Sequence, residues 1–150
     1  MSDAMRAGKK YYGKYRGVVV NNVDPQRIGR VQVSVPDIGP ISSSWALPCL
    51  PAAGLNSGIL AIPQKGASVW VEFEQGDLDH PIWVGGFWNS ATEVPESAEA
   101  LPPGGILLQT STGAMISLSE AGIVISSGKG ASVSLVGPTV DINAGALTVT

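Results

Sequence analysis

The sequence predicts an all-β protein in two parts, and three observations carry that prediction. Nineteen glycines and eleven prolines among 150 residues, with only 14% charged side chains, favour many short strands joined by turns over helices. No window sustains a helical period of apolar residues, and Glu93–Ala100 is the one stretch with room for a helix. From Ile106 onward the apolar residues recur instead as i, i+2 pairs, with a glycine between each pair and the next.

Taken in order, residues 1–12 read as a flexible polar arm, because Ser2, Asp3, Arg6, Gly8, Lys9 and Lys10 offer little to bury. Order is expected from about Tyr11. A first strand runs Tyr15–Val20, Asn21 to Asp24-Pro25 turns the chain, and Ile28–Val35 returns with Val31, Val33 and Val35 on one side. Pro36, Gly39 and Pro40 end that hairpin. Ser42–Ser44 leads into Trp45–Leu50, where Pro48 marks an edge or bent strand. Gly54–Gly58 is a loop, and Ile59–Ile62, Ser68–Glu74 and Ile82–Trp88 are further strands. Val69, Val71 and Phe73 share one face, with Trp70 and Glu72 on the other. Five or so strands over residues 13–88 without a helix-length segment make a small Greek-key barrel of the OB type. Residues 89–103, with Glu93, Glu96 and Glu99 among Pro95, Pro102 and Pro103, have the composition of an extended linker.

Residues 104–150 form the second part. Its apolar pairs are Ile106/Leu108, Ile116/Leu118, Ile123/Ile125, Val133/Leu135, Val140/Ile142 and Leu147/Val149. Period two puts each pair on one side of a pleat. The opposite side carries Ser117, Ser134, Asp141 and Thr148, with Leu107 and Val124 as exceptions. A segment this short has too few apolar side chains to fold alone and two open edges that invite other chains. One strand per layer, with neighbouring copies completing each layer around the twelve inward side chains, answers both difficulties.

Tyr15-Arg16-Gly17-Val18-Val19, Asp24-Pro25, Ile28-Gly29-Arg30-Val31-Gln32-Val33 and Trp45-Ala46 open a series of motifs. It continues with Pro63, Gly66, Val69-Trp70-Val71-Glu72-Phe73, Gly76-Asp77 and Pro81-Ile82-Trp83-Val84-Gly85-Gly86. In order and spacing, this run resembles the OB domain of contractile-tail central spike proteins, the phage baseplate spikes and VgrG spikes of type VI secretion. The glycine-punctuated tail is similar to the needle of that family. The resemblance implies a homotrimer in which an N-terminal OB-fold barrel is followed by a C-terminal triple-stranded β-helix formed by homotrimerisation. Three barrels would form a collar on a tail hub protein, and the needle would make transient contact with a target membrane. It implies location in a virion or injection particle, at the tail baseplate. Three family features are missing: a lysozyme-like domain between barrel and needle, a hub domain before the barrel, and the His-x-His motif that holds iron at some spike tips. No apical metal is therefore carried over.

The family also implies a PAAR-like tip protein on the needle's end, and Ala146, Leu147, Thr148, Val149 and Thr150 are the expected contact residues. A last layer with unpaired backbone groups and the rims of Leu147 and Val149 is the kind of edge proteins normally cover.

Competing chemistry is poorly supported. His80, Asp77 and Asp79 lie within four residues of one loop, whereas triad members converge from separate elements, so a turn with Asp77 accepting backbone N–H bonds is expected and no catalysis. Trp45, Trp70, Trp83 and Trp88 with Tyr11, Tyr12 and Tyr15 could stack on single-stranded nucleic acid, but a net charge of -3 and the mixed charges of the barrel argue for packing instead. Gly104-Gly105 and Gly128-Lys129-Gly130 open no helix and read as turns, not phosphate loops. A lone Cys49 and a lone His80 leave no disulfide and no metal cluster within one chain, and no cofactor is expected. Arg6, Lys9 and Lys10 have no apolar run behind them, so no signal peptide and synthesis in the cytoplasm are expected. The functional expectation is a mechanical spike. A trimeric adhesion or carbohydrate-binding fibre and an OB-type nucleic-acid binder are the alternatives.

Overall fold

The structure is a computed structural model that describes residues 8–39 and 44–149. The expected arm lies mainly outside the described residues, as do Pro40, Ser42 and Ser43 of the approach to the third strand. The chain divides into two compact units, with the boundary after Asn89.

In the first unit, β1 (Tyr15–Asn21), β2 (Val31–Ser34) and β3 (Trp45–Pro48) are followed by a miniature hairpin, β4 (Ala53–Gly54) and β5 (Ser57–Gly58), and then by β6 (Ser68–Phe73) and β7 (Pro81–Gly86). The five longer strands close into a barrel in the order β1-β2-β3-β7-β6. Closure depends on two pairings between strands distant in sequence: β1 antiparallel to β6, with Gly17 opposite Val69, and β3 parallel to β7, with Leu47 opposite Ile82. This is consistent with an OB domain.

Strand alternation fills the barrel. Val19, Val31, Val33, Val35, Ala46, Val69, Val71, Phe73 and Trp83 form its buried core. β-Branched valines suit the pleat, and their small volume suits a narrow cylinder. Trp83 is the one large polar-tipped member, and its indole N–H donates to the Gly29 carbonyl at 3.0 Å. At Gly17 a Cβ would lie 2.8 Å from Val71 Cγ2, so β1 passes where only glycine fits. Tyr11 is already in place: its N–H donates to the Gly76 carbonyl at 3.0 Å and its ring meets Phe73 edge-on.

Of the two readings of Pro48, the edge fails, because β3 lies inside the closed barrel; the ladder to β2 ends at Ala46, and on the β7 side the Cys49 N–H bonds to the Trp83 carbonyl at 2.9 Å. Ile59–Ile62 is not a strand. The barrel is already closed and offers that segment no edge, so it leaves β5 as exposed irregular chain, held by the Ile59 N–H to the Ala52 carbonyl at 3.0 Å.

In the second unit, Ala91–Glu93 makes one 3-10 turn and α1 (Glu96–Glu99) one helical turn, the latter inside Glu93–Ala100, the stretch that had room for a helix. Leading Glu and Ala residues after Pro95 favour that turn. Then come β8 (Ile106–Gln109), β9 (Met115–Ser119), β10 (Gly122–Ser126), β11 (Ser132–Val136), β12 (Thr139–Ile142) and β13 (Leu147–Val149). They form one six-stranded antiparallel sheet in strict sequence order. The single chain thus builds a meander, in which each strand pairs with its neighbour in sequence. Tight turns such as Glu120-Ala121 and Gly137-Pro138 return the backbone at once to its own preceding strand, so the strand-to-strand hydrogen bonds stay within the chain.

Candidate functional site

The register of the meander gathers the twelve apolar residues on one face. One column reads Ile106, Leu118, Ile123, Leu135, Val140, Val149, and the other Leu108, Ile116, Ile125, Val133, Ile142, Leu147, each residue directly opposite the next. The same ladder aligns Leu107, Ser117, Val124, Ser134, Asp141 and Thr148 as the intervening column. Hence the pairs read from sequence do form a single surface of two aliphatic ribs.

That surface has no cover within its unit. Among the described residues from Ser90 to Val149 none is buried, and Ile125 in the middle of the sheet is 46% exposed. Leu108 and Val149, on the outer strands, reach 62% and 57%. A contiguous aliphatic face of this extent marks a contact surface, since monomers rarely expose one.

The sheet's sides are held by turns. The Thr110 N–H donates to the Ala114 carbonyl at 2.8 Å, the Ser127 N–H to the Ala131 carbonyl at 2.9 Å, and the Asn143 N–H to the Ser132 carbonyl at 2.9 Å. Gly128, at φ +70°, passes so close to the preceding turn that a Cβ would lie 2.7 Å from the Gly113 carbonyl carbon. Three turns therefore stack along one lateral side.

The expected tip contacts occupy the last strand. β13 pairs only with β12, Leu147 opposite Ile142 and Val149 opposite Val140, so its other side is an open edge among the described residues. Ala146 N–H closes the preceding turn on the Asn143 carbonyl, Thr148 stands opposite Asp141, and Thr150 is outside the described residues.

The barrel carries a polar centre that the sequence reading saw only as a turn. Asp24 accepts the N–H groups of Gln26 and Ile28 at 3.0 Å each and of Arg30 at 3.2 Å, while Arg30 grips it through Nε at 3.1 Å and Nη2 at 2.7 Å. The guanidinium, helped by those N–H groups, holds the Asp24 carboxyl well below the usual carboxylate range. Arg30 also covers the Trp45 ring at 5.4 Å. The spacing Asp24-x5-Arg30 was the available signal, but nothing local says that the loop folds back on itself.

Elsewhere the sites stay plain. His80 Nδ1 lies 3.4 Å from Asp77 Oδ2, both side chains are exposed, and among the described residues no hydroxyl or thiol lines the open hollow shared with Lys10, Glu74 and Gln75. Asp77 accepts the Asp79 N–H at 3.0 Å, and that bond, followed by His80, lowers its pKa. No His, Cys, Asp and Glu cluster suited to a metal occurs among the described residues. The tryptophans are dispersed: Trp83 is in the core, Trp70 packs on Phe87 at 4.6 Å beneath Arg16, Trp45 meets Arg30, and Trp88 is exposed.

Comparison with protein families agrees with both units. Residues 15–88 match the type VI secretion system/phage-baseplate injector OB domain, and residues 95–148 match the phage baseplate V C-terminal trimerisation domain. No curated protein matches the chain at a significant level. Both matched families are structural, and together they take in the stretch from Tyr15 to Thr148 apart from residues 89–94. The closed barrel coincides with the first match and the six-stranded sheet with the second, and together the two matches support a spike-like structural protein of the tail or injection-system baseplate with a trimerisation domain at residues 95–148.

Proposed function

We propose that the protein is the central spike of a contractile tail or injection system, a homotrimer that sits on the baseplate and pierces the target envelope mechanically, without catalysis. The observation that carries this reading is the twelve-residue aliphatic face in a unit that buries none of its described residues by itself. Three such sheets facing a common axis would place six aliphatic side chains in every layer. With strands about 4.7 Å apart, six layers make a needle of roughly 28 Å. Hydrogen bonds between successive strands would then run along the axis, many per layer, and share the load of a thrust.

The barrel's exposed apolar side chains, Leu55 at 93% with Ile59, Leu60 and Ile62 nearby, support docking of a VgrG-like collar on a tail hub protein. The open edge of β13 supports a PAAR-like tip protein stacked on Leu147–Val149, giving a point that touches the target membrane only in passing. The test is twofold. Light scattering should give three times the 15.4 kDa chain mass, and images of intact particles should show the barrels on the hub and further density beyond β13. A monomer in solution, or particles without the protein on the tail axis, would refute the reading.

A further inference from the structure

Residues 104–150 carry three charged side chains, Glu120, Lys129 and Asp141. Asp141 is engaged within its own chain, accepting the Gly145 N–H. Glu120 and Lys129 are exposed and form no ion pair among the described residues. They occupy the two turns that flank β10, Glu120 between β9 and β10 and Lys129 between β10 and β11. They therefore lie on opposite lateral sides of the sheet, roughly 20 Å apart at the usual rise of a strand, too far to meet within one molecule.

Rotation about a three-fold axis joins unlike sides: the lateral side of one sheet that carries Glu120 meets the side of the next that carries Lys129. The two turns differ in height by one strand spacing, about 4.8 Å, which the two side chains can span. Resting on the trimeric reading above, we propose that Glu120 of each protomer pairs with Lys129 of the neighbouring copy, three times around the axis. The pair selects copies that point the same way. The two aliphatic ribs are nearly alike from end to end, so the apolar face accepts a copy turned end for end almost as readily. Such a copy presents its Glu120 side to Glu120 and its Lys129 side to Lys129, and like charges at the seam reject it. The occupant of the face is thus a second copy in one orientation.

Cross-linking of the full chain tests this. In a Cys49→Ser background, Glu120→Cys with Lys129→Cys, treated with a short bis-maleimide, should give covalent dimers and trimers on a denaturing gel, whereas either cysteine alone should give none. A particle of trimer mass without that ladder, or a ladder from a single cysteine, overturns the pairing and leaves the trimer standing; monomer mass before cross-linking overturns both. Charge reversal is the second measurement. Glu120→Lys and Lys129→Glu should each lower the melting temperature of the trimer, and the double reversal should restore it; a double variant no better than the weaker single one removes the pair.

Discussion

Asp24 gathers three backbone N–H groups and the forked side of Arg30 around one carboxylate, which fixes the loop between β1 and β2 in a single shape. Its carboxyl is held below the ordinary value of 3.8, so the contribution to stability is complete above about pH 5 and is lost as the pH falls through and below 3.8 toward the folded value. Asp24→Asn should therefore lower the melting temperature near neutral pH, and the gap between variant and wild type should narrow on acidification below pH 4. Thermal melts across pH 2–7 check both statements; a gap that persists unchanged at pH 2 would show that the charge is not what matters. The turn at Asp24-Pro25 was legible from residue types alone, because Asp and Pro favour turns whatever lies around them. The grip of Arg30 was not, since it depends on where the loop's far end returns. At Asp77 the same local logic sufficed: its bond to the Asp79 N–H spans two residues and needs no tertiary information.

In the C-terminal sheet, alternation told which side of the chain each residue takes, and the ladder agrees at all six strands. Alternation does not tell which strand lies beside which, so the meander could not be read from the pairs, and neither could the parallel contact of β3 with β7 that closes the barrel. Ile59–Ile62 shows the opposite limit, where apolar content suggests a strand but no free edge exists to receive it. The ribs themselves give a direct prediction. Ile125 faces Ile116 and Val133 near the centre of the sheet, so Ile125→Asp sets three carboxylates against one axis in the trimer. Each unpaired buried charge costs several kcal/mol, enough to abolish assembly. Light scattering should report the monomer mass for this variant, and a trimer as heat-resistant as wild type would mean that Ile125 looks away from the axis.

At the scale of the whole molecule, both units take their form from one chain's own pairings, yet they differ in what they need from neighbours. Among the described residues the barrel buries a core of nine side chains and is closed on itself, whereas the sheet buries none. Its strands, however, bond solely to their immediate predecessors and successors along the chain. Such contacts are local in sequence and form quickly, so each copy can complete its sheet before it meets another. The expected route to the trimer is therefore docking of finished surfaces without braiding of three backbones, and such a trimer should come apart without any chain unfolding. Subunit exchange follows: two populations labelled with different fluorophores and mixed under native conditions should acquire energy transfer over time, at a rate well above that of global unfolding. Exchange seen only after denaturation and refolding would mean that the copies are threaded through one another.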